Sequence, residues 1–135
     1  MVSNELDRNR PNKRPETNGG YVPTFQSQAT ARRGDLVSRL GGEEFAVICL
    51  NTDFPGAMHM AERLRAAIET QTIDIAEGGH PLQCTVTVGV SQGFADAHAL
   101  EAALQQADAA LYRGKAAGRN RVEIAGPSMA TASYA

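Results

Sequence analysis

The glycine pair at 41–42 lies between two runs of strand-forming residues, and this arrangement constrains the fold more than any other feature of the chain. Two adjacent glycines allow the positive φ angles that a tight hairpin turn requires. The run 35–40 has the aliphatic content of a short strand, and the run 43–50 is apolar enough for a strand with neighbours on both sides. The sequence therefore predicts a β-hairpin over 35–50, with two carboxylates just past its tip.

Two amphipathic helices and further strands follow the hairpin. Asp53 can cap the first helix, in which apolar residues recur at helical spacing. Positions 72–75 and 82–90 have the pattern of a short and a long strand, a second helix spans about 97–117, and a last strand covers 121–124. The resulting order, ββαββαβ, predicts an α+β fold with helices against a mostly antiparallel central sheet.

Both ends of the chain lack this patterning. The stretch 3–20 is rich in Asn, Arg, Pro and Gly and has almost no aliphatic residue, so it cannot bury enough surface to order itself. We therefore predict a flexible tail over 1–30, a single domain over 31–125 and a disordered tail over 126–135.

Charge and cysteine content exclude some classes of partner. The formal net charge of −2 gives no global reason to expect nucleic-acid binding, so an anion site must be a local basic cluster. No apolar run is long enough to span a bilayer, and no signal-peptide pattern follows Met1. Cys49 and Cys84 lie in apolar runs, which favours two reduced thiols in a cytoplasmic protein over a disulfide or a metal pair.

Four motifs occur in the order and spacing of one known family. The string RLGGEEF at 39–45 resembles the GG(D/E)EF signature of bacterial diguanylate cyclases. The string RRGD at 32–35 is similar to the family's RxxD inhibitory-site motif, and five residues separate it from the glycine pair, as in the family. These two matches place the predicted hairpin at the centre of the resemblance.

The two further motifs lie in the second half of the chain. The string TVTVGVS at 85–91 resembles the family's (V/I)T(V/I)S(I/V)G(V/I) strand. The string ADAALY at 107–112, with Lys115 and GRN at 118–120, resembles the helix end ADxALYxAKxxGRN, apart from Gly114 in place of the usual Ala. Together the four motifs extend the resemblance to about position 123.

The resemblance implies a fold and an activity. Members of this GGDEF family have a palm-like nucleotidyl-cyclase fold and join two GTP molecules into cyclic di-GMP with release of two pyrophosphates, a signalling reaction that uses Mg²⁺ or Mn²⁺. Complete relatives place two such domains face to face, each with one GTP. We therefore expect GTP and cyclic di-GMP as ligands and a homodimer as the assembly.

The hairpin tip carries the implied catalytic carboxylates. By resemblance Glu43 is the metal ligand and candidate base, Glu44 is its acidic neighbour, and Gly41 and Gly42 line the nucleotide. Carboxylates are hard oxygen ligands suited to Mg²⁺, and glycines let a ligand approach the backbone closely. The alternative is a solvated hairpin with two surface acids, which these residues alone would favour.

Two cations near the end of the second helix are the implied phosphate ligands. Lys115 and Arg119 are four residues apart, so on a helix they would project from nearly one face. A point charge and a planar fork together suit a triphosphate. The alternative is favourable placement of cations at a helix C-terminus. The resemblance favours phosphate binding.

A second site for the product is implied by the RxxD motif. Arg32 can stack on or fork to guanine, and the Asp35 carboxylate can accept from guanine's donors. Arg63, on the first helix, is the implied second contributor. The alternatives are a surface ion pair between Arg32 and Asp35, and a plain solvated residue at position 63.

One part of the family pattern is absent. Members begin with a strand ending in DxDxFKxxND, followed by a helix, and no such segment lies within 1–31. DRNR at 7–10 is not a substitute, because no apolar strand precedes it. We therefore expect a domain truncated at its N-terminus, without the first metal Asp and the guanine-reading residues and with weak or no activity. The loss would leave a sheet edge uncovered unless another copy of the chain or the N-terminal tail covers it.

Two rival functions remain open from the sequence. The chain could be a non-catalytic cyclic di-GMP receptor that uses the RxxD site. It could also be a ligand-free fragment that dimerises through the uncovered edge. Whether the chain is an enzyme is therefore left undecided.

Overall fold

A computed structural model describes residues 2–6, 34–73 and 80–126, the first of these as backbone only. The described residues form six strands and two helices, which confirms the predicted α+β class. The elements are β1 (Val2–Leu6), β2 (Leu36–Gly41), β3 (Glu44–Ile48), α1 (Phe54–Thr70), β4 (Thr72–Ile73), β5 (Leu82–Val90), α2 (Ala97–Ala116) and β6 (Val122–Ile124).

The strands form a mostly antiparallel sheet in the order β2-β3-β1-β5-β4. The last strand, β6, pairs in parallel with the end of β5, and every other described pair is antiparallel. The predicted hairpin is confirmed, because β2 and β3 pair from Leu36 opposite Ile48 to Gly41 opposite Glu44. The predicted long strand at 82–90 is also confirmed.

The position of β1 corrects the expectation of a flexible tail for five residues. Val2 pairs with both Phe45 in β3 and Val88 in β5, so β1 lies inside the sheet. The edge that the missing segment would leave uncovered is therefore filled here by residues of the N-terminal segment, and the strand that precedes position 7 is polar in sequence, not apolar. Pairing on both sides satisfies the backbone groups of a segment whose own composition is too polar to predict a strand. Of the rest of the predicted tails, positions 1, 7–30 and 127–135 lie outside the described residues.

The two helices pack on opposite faces of β5. Alternate β5 residues from Cys84 to Val90 join Ala61, Leu64 and Ile68 of α1 in one buried cluster. On the other face α2 lies so close that a Cβ on Gly89 would overlap the Ala107 carbonyl oxygen and lie 2.6 Å from the Leu111 nitrogen. Glycine at position 89 therefore sets the distance between α2 and the sheet.

Local chemistry fixes where the helices begin. The Asp53 carboxylate accepts a hydrogen bond from the Gly56 amide (2.8 Å), as predicted for the cap of α1. Asp96 accepts from the amides of His98 and Ala99 in the same way at the start of α2. Neither of the helices that the structure describes has the length and apolar character needed to cross a membrane.

Neither Cys49 nor Cys84 forms a disulfide. Cys84 is buried in the α1 cluster, and the half-buried Cys49 thiol lies 3.6 Å from the sulfur of Met60. The predicted core positions of the two thiols are thus confirmed for Cys84 and hold in part for Cys49.

Candidate functional site

The hairpin tip presents its two carboxylates differently. Gly42 adopts a φ of 34°, in the left-handed region that glycine tolerates, and Arg39 closes the turn by donating from Nε (3.2 Å) and Nη2 (2.7 Å) to the Gly42 carbonyl. Glu43 stands exposed in the turn, whereas Glu44 begins β3 and is half-buried. The tip therefore offers one fully accessible carboxylate and one that is held against the domain.

The end of α2 reaches this tip. The Lys115 Nζ lies 3.7 Å from the Glu44 Oε1, an ion pair between side chains that are 24% and 41% exposed. The two residues are 71 positions apart in sequence, so only the packing of α2 on the sheet brings them together. The structure thus places one of the predicted phosphate ligands beside the predicted catalytic turn.

Arg119 lies in a turn after α2 and not, as the spacing to Lys115 had predicted, on the helix. Because α2 ends at Ala116, helical spacing does not relate Arg119 to Lys115, and the expected reason for a shared face is wrong. Gly118, Arg119 and Asn120 instead form a left-handed turn, with φ values of 119°, 66° and 46°. The Arg119 amide donates to the Gly114 carbonyl (3.0 Å), which folds the turn back onto the end of the helix.

A charged cluster ties this turn to α1, and the sequence analysis does not identify it. Arg65 donates to Glu62 (2.6 Å), to Glu69 and, across 55 positions, to the Asn120 side-chain oxygen (2.9 Å). The spacing of the three charged residues on α1 predicts their mutual contacts. No local signal indicates Asn120 as the fourth member.

Arg65 changes the ionisation of its neighbours. Its hydrogen bonds are the largest cause of a lowered pKa at Glu62 and at Glu69, and the Asn120 amide adds a second hydrogen bond to Glu69. The same hydrogen bonds raise the pKa of the Arg65 guanidinium. Arg65 and the two carboxylates therefore favour one another's charged forms, whereas the like charge of Glu69 opposes the ionisation of Glu62.

The donor chemistry at the tip fits a divalent metal that is shared with a phosphate ligand. Within 34–73 and 80–126 no group of three or more His, Cys, Asp or Glu side chains could hold a metal ion alone. Mg²⁺ commonly binds through one or two carboxylates together with phosphate oxygens and water. Glu43, exposed in the turn, can supply such a carboxylate, and Glu44 lies beside it with Lys115 as its counter-charge.

The implied product site is only partly within the described residues. Asp35 precedes β2 and is half-buried, and Arg63 is exposed on α1. Arg32 lies outside the described residues. The three residues are therefore not seen together, and the product site stays a prediction.

A cavity of about 110 Å³ lies elsewhere in the fold. Residues of β3, β5 and both helices line it, among them Val47, Met60, Val90 and Leu104. None of the candidate site residues that the structure describes lines it. The nucleotide hypothesis therefore concerns the open hairpin tip and not this cavity.

Known proteins share the pattern of the chain. Residues 26–121 match the family model described as "Diguanylate cyclase, GGDEF domain". Diguanylate cyclase A of Treponema denticola is 37% identical over 97 residues, which cover 72% of this chain and 26% of that protein. Diguanylate cyclase DgcP of Pseudomonas aeruginosa is 42% identical over 94 residues, which cover 70% of this chain and 14% of that protein. The chain thus spans about a quarter or less of these relatives' length.

Solved structures share the fold. The active GGEEF domain of a diguanylate cyclase from Vibrio cholerae superposes with a TM-score of 0.73 at 23% identity, covering 94% of this chain and 82% of that one. The GGDEF domain of DgcB from Caulobacter crescentus, in complex with c-di-GMP, gives a TM-score of 0.66 at 26% identity, covering 75% and 63%. The arrangement of sheet and helices in this chain is therefore one that these domains also have.

Proposed function

The chain belongs to the GGDEF domain family of diguanylate cyclases, and from this premise we propose that its hairpin tip and the end of α2 bind one GTP for condensation to cyclic di-GMP. The observation that carries the proposal is the 3.7 Å approach of Lys115 to Glu44. It supports a single site in which carboxylates and a cation face the same ligand.

Each residue of the tip has a distinct part in the proposed site. Glu43 would hold Mg²⁺ or Mn²⁺, which when bound neutralises phosphate charge and lowers the pKa of the attacking hydroxyl. Lys115 contacts phosphate oxygens as a point charge, and Glu44 keeps it at the tip between substrates. Gly41 and Gly42, without side chains, allow the nucleotide to approach the backbone of the turn.

The proposed reaction needs two copies of this site. The 3′-hydroxyl of one GTP attacks the α-phosphate of the other, a phosphodiester bond forms, and pyrophosphate leaves. The 3′-hydroxyl of the second nucleotide then attacks the α-phosphate of the first and a second pyrophosphate leaves. Two GTP thus give one cyclic di-GMP and two pyrophosphates. Because one tip holds one nucleotide, a homodimer with the tips face to face is the assembly that we propose.

We expect the chain alone to turn over slowly or not at all. No DxDxFKxxND segment supplies a second metal carboxylate or guanine-reading side chains in this sequence. A triphosphate held by Glu43, Lys115 and Arg119 keeps its charge contacts but loses base readout. We therefore expect the missing segment to reduce GTP turnover more than GTP binding.

Thermal unfolding with and without nucleotide tests the proposal. Millimolar GTP with Mg²⁺ should raise the Tm of the wild type, because a ligand that binds only the folded state stabilises it. Glu43→Ala should lose the Mg²⁺-dependent part of this rise, and Glu101→Ala, an exposed acid elsewhere on α2, should keep it. If neither GTP nor cyclic di-GMP raises the Tm, the chain is an interaction fragment and the proposal fails.

A product assay on the same samples tests the expected low activity. Incubation with Mg²⁺ and GTP, followed by chromatography, should give little or no cyclic di-GMP. Rapid product formation that disappears in Glu43→Ala would contradict that expectation, although it would support the site.

A further inference from the structure

Arg65 links α1 to the turn that carries Arg119, and we propose that it is a positioning residue for this phosphate-binding turn. The proposal rests on the proposed function, since it gives Arg65 a part in holding the triphosphate. Arg65 itself belongs to none of the four sequence motifs. Its part follows only from its contacts in the folded chain.

The Arg65 guanidinium is largely enclosed, and each of its three nitrogens donates at least one hydrogen bond. Its side chain is 17% exposed, whereas its partners Glu62 and Glu69 are 56% and 46% exposed. Nε and Nη2 donate to Glu62, and Nη1 donates to Glu69 and to Asn120. A planar fork holds donors on three nitrogens in a fixed arrangement and so reaches acceptors that are far apart, whereas lysine has its three donors on a single nitrogen.

Asn120 is the receiving end of this link. Its side-chain Oδ1 accepts from Arg65 (2.9 Å), and its side-chain Nδ2 donates to Glu69 (3.0 Å). Its backbone N–H donates to the Thr87 hydroxyl (3.1 Å). Thr87 is fully buried in β5. The residue next to Arg119 is therefore fastened to α1 by two hydrogen bonds and to the sheet by one.

These hydrogen bonds hold a turn whose backbone angles are uncommon. Arg119 and Asn120 are consecutive non-glycine residues in the left-handed region, which asparagine tolerates but which is uncommon for arginine and needs support from its surroundings. Arg65 approaches neither Glu44 nor Lys115 in any contact that the structure gives. Its effect on a nucleotide must therefore pass through Asn120 to the backbone of Arg119.

A plain surface ion-pair cluster on α1 is the competing interpretation. In that case Arg65 stabilises the helix through Glu62 and Glu69, and its contact with Asn120 is incidental. Lysine at position 65 would preserve most of that role, since it keeps the charge. A positioning role would be lost in the lysine variant, since the fork is gone.

Amide hydrogen exchange at Arg119 and Asn120 separates the two interpretations. Arg65→Met and Arg65→Lys should both speed exchange of these amides by roughly tenfold or more, the size expected for losing a charged hydrogen bond. Ile68→Val, which weakens the core side of α1, is the matched control and should speed the exchange of these two amides no more than it speeds the exchange of amides within α1. Wild-type exchange at Arg119 and Asn120 in Arg65→Lys would overturn the proposal.

GTP affinity, measured by calorimetry with Mg²⁺, links the positioning to the ligand. Arg65→Met should weaken binding by several-fold, and the same change in an Arg119→Ala background should add little, because both act through one side chain. Equal losses in both backgrounds would contradict positioning through Arg119. If the wild type does not bind GTP, the proposed function fails, and the exchange result still decides whether Arg65 orders the turn.

Discussion

Single positions determine how closely α2 approaches the sheet. Gly89 lies under the backbone of α2, and Gly114 lies over Thr87, where a Cβ would be 2.7 Å from the threonine methyl group. These two glycines allow the end of α2 to come near enough for Lys115 to reach Glu44. Gly114, a departure from the usual alanine of the family pattern, thus has a packing reason in this chain.

Gly89→Ala tests this close approach. The added methyl group would overlap backbone atoms of α2, which cannot move aside as a flexible side chain can, so we expect a loss of at least about 3 kcal/mol in unfolding free energy. Gly93→Ala is the control, because a Cβ there meets nothing within 4 Å. Urea unfolding of both variants gives the comparison, and an equal small loss in both would contradict the packing described for α2.

Single-residue features could be predicted where they depend on residues nearby in sequence, and not where they depend on residues far away. The Asp53 cap, the glycine turn and the place of two carboxylates at the hairpin tip could be predicted because each depends on neighbours within a few positions, whereas the role of those carboxylates is a prediction from the resemblance. The contact between Lys115 and Glu44 was expected only through the family resemblance. The contact between Arg65 and Asn120 could not be predicted, because an amide at position 120 carries no local pattern that indicates a partner on α1.

Regular elements were predicted well where one strong pattern repeats. The alternation over β5 and the apolar stripe of α1 both reflect burial on a defined face, and both elements lie where the sequence places them. The sequence also predicts that α2 ends near position 117, but not that Arg119 and Asn120 adopt left-handed backbone angles after it, because contacts with α1 and β5 hold these residues. Tertiary contacts, more than local preference, decide the shape of that turn.

The charged cluster that joins Arg65, Glu62 and Glu69 of α1 to Asn120 of this turn should contribute less stability in acid. Arg65 lowers the pKa of Glu62 and Glu69 in the folded chain below the ordinary value of 4.5, so their contribution to stability is complete above that pH and is lost as the pH falls through the folded-state values. The stability advantage of wild type over Arg65→Met should therefore be constant near neutral pH and should shrink below about pH 4.5.

Urea unfolding of both proteins across this pH range measures the difference. Because both carboxylates are largely exposed, we expect a modest effect. A stability difference between wild type and Arg65→Met that grows as the pH falls would contradict this account of the charged cluster.

At the scale of the whole molecule, β1 joins the two halves of the sheet. It lies between β3, which carries the acidic tip, and β5, on which both helices pack. The sequence predicted no strand here, because a short polar segment shows neither alternation nor an apolar run. Its role becomes visible only when strands distant in sequence are brought to either side of it.

Asn4→Pro tests the central position of β1. Asn4 pairs with Val86, and proline would remove a backbone donor and clash within an interior strand, so we expect loss of a single cooperative thermal transition. Asn4→Ala keeps the backbone donor and should unfold cooperatively. Cooperative unfolding of Asn4→Pro at the wild-type Tm would show that β1 does not hold the sheet together.

The central claim is that the acidic tip and the end of α2 surround one guanosine nucleotide. Calorimetric titration of GTP with Mg²⁺ into wild type and Lys115→Ala tests it most directly, with Arg113→Ala as a control cation on the same helical turn. We predict saturable binding by the wild type, a Kd raised by about tenfold or more in Lys115→Ala through loss of a charge-assisted contact, and little change in Arg113→Ala. Wild-type affinity in Lys115→Ala, or no binding by the wild type, would contradict the claim.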